Sequence, residues 1–241
     1  MKVTVVAEIG SNWEGDLQKA EKLLRECKEA NADAVKFQMW RATDLYNESH
    51  PKWKEIKKSE LTFEKAKKIK KISDKIGIEF FCSVFFPEGV DFLEKIGVKK
   101  YKIASRTCLK KDPYSIDTLK RKSMTKKQIF VSMGMGGDKN YIKNTFKNNK
   151  LIFCYCISEY PLEFKKIKWN NALKFDGFSD HTEGIVAPII FTALKKEKKS
   201  KNIYIEKHVK LKNSKGPDAS TSIDTEKFAE MISYIRDIEK K

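Results

Sequence analysis

A chain of 241 residues, 40% of them hydrophobic, can bury one substantial core, so a single domain is expected. Glu8 interrupts the N-terminal apolar run before the roughly 7 to 15 residues of a signal peptide, and no run approaches the roughly 18 apolar residues of a membrane span; a soluble, cytoplasmic protein with no membrane partner is expected. The formal charge of +17 comes from lysines spread over the polar faces of nearly every candidate helix and not interleaved with aromatics, which argues against nucleic acid and for a solvated basic surface that can also attract anions.

Short β-rich apolar runs alternate along the chain with longer amphipathic ones. Strands are predicted at about 2–8, 33–39, 78–84, 100–104, 128–133, 150–156, 174–179 and 202–208. Helices are predicted near 16–30, 62–76, 87–95, 113–122, 138–148, 162–172, 183–196 and 224–239. Asp16 and Thr62 stand where N-caps belong, and Gly77 and Gly97 fall just after helices, where a left-handed residue is needed. Eight parallel βα units can close on themselves and leave no free edge, so the predicted fold is α/β, a single-domain (β/α)₈ TIM barrel. An open doubly wound sheet is the alternative, but Gly10-Ser-Asn-Trp-Glu-Gly15 after the first strand is not a dinucleotide-binding loop.

The connection at 40–61 exceeds the usual loop length and is expected to act as a lid, with His50 simply solvated. Five cysteines (Cys27, Cys82, Cys108, Cys154, Cys156) without paired spacing suit reduced thiols. Cys154 and Cys156 read as core filler on one strand face.

Barrel enzymes carry their chemistry at the C-terminal strand ends. Nearly every predicted strand delivers a polar group there: Glu8, Lys36 and Gln38, Ser83, Lys102 and Ser105, Ser132, Tyr160 just beyond, Asp180 and His181, Glu206 and His208. Charges inside apolar strands need a partner or a charged ligand. Two lysines among several hydroxyls suit a phosphate and a carboxylate. Two of the three histidines end adjacent strands, so their imidazoles can meet at one divalent ion, with Asp180 and Glu206 as further ligands or hydrogen-bond acceptors; a pair of satisfied core histidines is the alternative. Two protein nitrogens leave positions open for water and substrate.

Seven short motifs occur in order from residue 5 to about 225: Ala7-Glu-Ile-Gly10 with Asn12 and Gly15, Ala34-Val-Lys-Phe-Gln38, Tyr101-Lys-Ile-Ala-Ser105, Ser158-Glu-Tyr-Pro161, Phe178-Ser-Asp-His-Thr182, Ile205-Glu-Lys-His208 and Gly216-Pro-Asp218. Together they resemble the N-acetylneuraminate (sialic acid) synthase family. The resemblance implies condensation of phosphoenolpyruvate with N-acetylmannosamine or a related 2-acetamido sugar. It also implies a divalent ion on His181 and His208, Mn²⁺ before Mg²⁺ or Co²⁺. By similarity Lys36, Ser83, Lys102, Ser105, Ser132 and Ser179 form the phosphoenolpyruvate cradle; Ser158 is a further substrate-binding residue, and Gln38 binds substrate on the sugar side. Glu8, Tyr160, Glu206 and Asp218 are the residues expected to grip the sugar and manage protons.

Several positions depart from the family pattern. Trp13 stands where many members carry histidine, Val84 where proline is usual, Met133 where threonine is common, and Ser158 where some use asparagine. Members commonly append a small antifreeze-like domain that reaches the partner subunit's site with an arginine; none is expected here, which leaves the homodimer of the family an open expectation. The 40–61 loop, a different acceptor or a separate chain would then complete the sugar site. A sugar-phosphate synthase of related chemistry and a non-catalytic anion-binding barrel are the competing readings.

Overall fold

A computed structural model describes residues 1–240. The elements follow in the order β1 (Lys2–Gly10), α1 (Leu17–Glu29), β2 (Ala34–Met39), α2 (Ala42–Leu45), α3 (Trp53–Lys58), α4 (Phe63–Ile76), β3 (Glu79–Val84), α5 (Pro87–Lys95), β4 (Lys100–Ile103), α6 (Ser105–Cys108) and α7 (Ser115–Met124). They continue with β5 (Gln128–Ser132), α8 (Lys139–Thr145), β6 (Leu151–Tyr155), α9 (Trp169–Ala172), β7 (Gly177–Asp180), α10 (Val186–Glu197), β8 (Asn202–Lys210), β9 (Ile223–Asp224) and α11 (Thr225–Lys240). Strands β1 to β8 pair in parallel in sequence order, and β1 also pairs with β8 in parallel, closing the expected barrel. The two-residue β9 extends β8 beyond the barrel.

Strand alternation gives each strand two jobs. On β1, Val3, Val5, Ala7 and Ile9 face the helical layer and join the main core, whereas Val6 and Glu8 face the lumen. The lumen is layered in the same way. Val6, Ala34, Phe81, Phe130, Cys154 and Tyr204 form an apolar floor. Two residues further along their strands, Glu8, Lys36, Ser83, Ser132 and Glu206 form a polar layer above it. Helix boundaries follow local chemistry: the Asp16 carboxylate accepts from the backbone N–H groups of Gln18 and Lys19, and Gly77 closes α4 at φ +76°.

One expectation needs correction, and one long connection proves more structured than its length suggests. The predicted helix at 162–172 reduces to a 3₁₀ turn at Phe164–Lys166 and the single turn of α9. Its apolar residues recur every five positions (Leu162, Ile167, Ala172; Phe164, Trp169), and each step of five rotates about 140° around a helix, so no continuous stripe forms. The 40–61 connection is built instead of loose. It holds α2 and α3 on a satellite core of Trp40, Ala42, Ile56 and Phe85, with Leu45, Tyr46 and Trp53 packed against it. The Arg41 guanidinium lies 4.0 Å from the Phe86 ring centroid and 3.0 Å from the Glu88 carboxylate. His50 is exposed, as expected.

Candidate active site at the barrel mouth

The register places the strand-end residues beside one another: Glu8 neighbours both Lys36 on β2 and His208 on β8, Ser83 neighbours Lys102, and Ser179 neighbours Glu206. At the base of the mouth the Lys36 ammonium contacts the Glu8 carboxylate, donates to Ser83 Oγ at 3.1 Å, and lies 3.8 Å from Glu206 Oε2. The Lys102 ammonium donates to both Glu206 oxygens at 2.9 Å and to Ser179 Oγ at 2.7 Å. The Ser179 hydroxyl meets Ser132 Oγ at 2.9 Å, and Gln38 Nε2 reaches Glu8 Oε1 at 3.4 Å. Burial alone would push the Glu206 carboxyl up. Lys102 and Lys36, with the Tyr204 hydroxyl, overcome this and hold it well below the usual carboxylate range.

Higher in the mouth, the His181 and His208 rings lie 5.5 Å apart, and Tyr160, half-exposed, packs over His181 with centroids 4.2 Å apart. His181 Nδ1 lies 2.7 Å from the Ile157 carbonyl, which can only accept, so Nδ1 carries a proton. Burial pushes this imidazole down, but Cys156 and the Ile157 carbonyl outweigh it and bring it above its ordinary value; Nε2 offers a lone pair in the neutral form of the ring. His208 Nδ1 is buried without a hydrogen-bond partner. Burial pushes the His208 imidazole down to about 3, with His181 and Lys36 adding to this against Asp218, so it is neutral and able to bind a cation. Both rings fit a site in which water and substrate complete the coordination. Among the described residues no three His, Cys, Asp or Glu side chains form a ready metal cluster, so a closed structural site does not fit.

The remaining candidates divide. Asp218 accepts from Ser11 at its backbone N–H (2.8 Å) and hydroxyl (2.6 Å), which ties the β8 loop to the end of β1. A Cβ on Gly10, which sits at φ +53°, would come within 2.5 Å of that same carboxylate oxygen, so glycine is required there. Ser105 Oγ accepts from the Gly134 backbone N–H at 2.9 Å, and Ser158 Oγ is buried without a partner. Asp180 does not serve the histidines. It faces outward, where its carboxylate takes Lys207 Nζ at 2.6 Å and the Thr182 N–H and hydroxyl at 3.0 Å. Glu206 is likewise held by Lys102 and Tyr204, and the Ile157 carbonyl fills the orienting role expected of these two carboxylates.

Cys156 also departs from expectation. It is partly buried but lies outside the apolar core, with Sγ 3.7 Å from Ser105 Oγ and 3.9 Å from His181 Nδ1. Burial pushes this thiol up, but His181, Lys102 and Ser105 outweigh it and bring it below the ordinary thiol value. Sequence reasoning missed Tyr204, Ser11 and Lys122. Tyr204 was findable by strand period, two residues before Glu206 on the same lumen-facing register. Trp13, at a departing position, is fully buried edge-on to Phe37 at 6.3 Å, with Lys65 Nζ 5.1 Å from its ring centroid. A hollow of about 620 Å³ between α1 and α11 lies at the opposite end of the barrel, lined by Lys28, Asn31, Arg236 and Asp237 among others, and none of the strand-end side chains reaches it.

Comparison with known proteins agrees with this geometry. The sequence profile described as the NeuB family matches residues 23–241. An uncharacterized protein of Methanocaldococcus jannaschii is 34% identical over 249 residues, covering 98% of this chain and 71% of that protein. The N,N'-diacetyllegionaminic acid synthase of Legionella pneumophila is 31% identical, covering 99% of this chain and 73% of that protein. The crystal structure of the N-acetylneuraminic acid (sialic acid) synthetase from Leptospira borgpetersenii superposes with a TM-score of 0.87 at 26% identity, covering 100% of this chain and 85% of that one.

Proposed function

We propose a reaction from one premise, that this chain belongs to the NeuB family: it condenses phosphoenolpyruvate with N-acetylmannosamine or a related 2-acetamido sugar, giving a sialic-acid-type nonulosonic acid and phosphate. In that reaction C3 of phosphoenolpyruvate bonds to the open-chain sugar's aldehyde carbon, water adds at C2, and the C–O bond breaks to release phosphate. The observation that carries the reading is the lumen layer itself. Lys36 and Lys102 are 3% and 1% exposed and stand among Ser83, Ser132 and Ser179 with no way out except the mouth. Two point charges and three hydroxyls buried together at the strand ends suit a small ligand with phosphate and carboxylate groups.

His181 and His208 would hold a divalent ion, Mn²⁺ first, which when bound supplies Lewis-acid polarisation of the acceptor carbonyl. The other roles fall to the chain's own groups. Lys102, Ser132 and Ser179 take the phosphate; Lys36 and Ser83 take the carboxylate side. Ser105 and Ser158 border the cradle. Tyr160, Asp218 and Gln38 stand further out, where they meet the sugar hydroxyls and acetamido group. Glu8 and Glu206, beside Lys36 and Lys102 at the base, are the carboxylates placed to relay protons as the aldehyde oxygen and water change charge.

The test is phosphate release from phosphoenolpyruvate by the purified chain, with Mn²⁺ or EDTA, across mono- and diacetamido sugars. Sugar-dependent, metal-dependent release is expected, and His208→Ala should abolish it while leaving the thermal midpoint nearly unchanged. Absence of release with every sugar, despite tight phosphoenolpyruvate binding, would replace this reading with an anion-binding barrel.

A further inference from the structure

The apolar floor of the lumen contains one polar atom that packing does not require. The Tyr204 ring is fully buried and stacked on Phe130 with centroids 4.0 Å apart and planes 23° from parallel. A phenylalanine would fill that space equally well. The hydroxyl adds nothing to the stack, and a buried phenol is costly unless it is hydrogen-bonded. Its partner is Glu206 Oε2, two residues along the same strand and one layer nearer the mouth. Glu206 thereby has donors on two sides: Tyr204 below, and Lys102, which bonds both of its oxygens at 2.9 Å.

These donors differ in what a ligand can do to them. Lys102 also bonds Ser179 and belongs to the cradle, so an anion arriving from the mouth competes with Glu206 for its ammonium. Tyr204 lies beneath the charged layer, shielded by Phe130 and Phe81, and no ligand in the mouth can reach its hydroxyl. Burial, followed by the charge of Glu206, pushes the phenol well above its ordinary value, so it remains a donor throughout the working pH range.

We propose that Tyr204 is a positioning residue for Glu206: its hydroxyl fixes the carboxylate from below and keeps it aimed at the mouth when bound substrate draws Lys102 away. The inference rests on the synthase reading above and adds to it a residue that the strand-end pattern does not reveal. It predicts an effect on turnover and not on capture, because Lys102, Ser132 and Ser179 still face the phosphate when the hydroxyl is absent.

Tyr204→Phe removes the hydroxyl and keeps the ring, and Phe130→Leu disturbs the floor and keeps the hydroxyl. For Tyr204→Phe, kcat of sugar-dependent phosphate release should fall about ten- to a hundred-fold, the size expected for losing a hydrogen bond to a buried charge. KM for phosphoenolpyruvate should stay within about three-fold and the thermal midpoint within a few degrees. Phe130→Leu should lower the midpoint and leave kcat within about three-fold. An active wild type with unchanged kcat in Tyr204→Phe overturns the role of Tyr204 and leaves the synthase reading intact. A raised KM with unchanged kcat also overturns it, since the hydroxyl would then serve binding. A wild type inactive with every sugar removes the synthase reading, and the inference with it.

Discussion

Five lysines of this barrel are buried, and two in the lumen, Lys36 and Lys102, are satisfied in the opposite way from two in the wall, Lys122 and Lys207. In the wall, Lys207 is spent on the Asp180 carboxylate and the Thr182 carbonyl, and Lys122 on the carbonyls of Val84 (2.8 Å) and Lys102 (3.0 Å). In the lumen, Lys36 and Lys102 share Glu206, Lys36 also holds Glu8, and each donates to a serine hydroxyl of the polar layer at the strand ends. Burial of charge is therefore not what marks a site. What marks it is that the partners of the charge can be exchanged for a ligand.

The comparison breaks most readily at Lys207. Lys207→Met leaves Asp180 as an unpaired buried carboxylate, so the free energy of unfolding in urea should fall by about 3 to 5 kcal/mol. Phosphoenolpyruvate affinity should hold within about three-fold, because Asp180 and Lys207 face away from the lumen. A large loss of affinity with intact stability would place this pair in the site after all. The lumen counterpart is Lys102→Met, for which the expected loss is affinity: about 2 to 4 kcal/mol, or roughly 30- to 1,000-fold, by calorimetry. If that variant binds phosphoenolpyruvate as the wild type does, the lumen lysines are as structural as those in the wall.

The same contrast explains what the sequence disclosed. The strands were legible because those buried on both faces read as apolar runs, and the longer helices because their stripes repeat at helical spacing. The four residues of α6 and the two of β9 are too short for either period to register. Glu8, Lys36, Lys102 and Glu206 stood out as charges inside apolar runs, and the structure brings them together. Asp180 was grouped with them because it adjoins His181, although strand alternation already separates it from Ser179 and His181 by one face. Tyr204 is overlooked for the opposite reason: strand period puts it on the Glu206 face, but a tyrosine in a β-rich run is ordinary, and only the contact with Glu206 gives its hydroxyl a purpose. The length of the 40–61 segment points to a lid but does not reveal that its aromatic residues build a small core of their own.

The smallest effect concerns the other wall lysine. Burial pushes the Lys122 ammonium down to about 7 from the ordinary 10.5; nearby Cys108 and Cys82 oppose this, and Lys36 adds to it. In the unfolded chain the group returns to its ordinary value, so between about pH 7 and 10.5 the unfolded state binds the extra proton, and stability rises with pH. Below pH 7 the cost of the buried charge is complete and constant. Wild type should thus gain about 1 kcal/mol per pH unit relative to Lys122→Met between roughly pH 7.5 and 9.5 in urea unfolding. Curves that run parallel would mean that Lys122 stays charged across this range. A neutral amine still has two N–H donors, one for each of the Val84 and Lys102 carbonyls, so loss of the proton strands neither acceptor. In the lumen the same loss would cost binding: burial pushes Lys36 down to about 8, with Glu206 opposing this and Lys102 adding to it, and a neutral amine there would forfeit the charge that an anionic substrate needs.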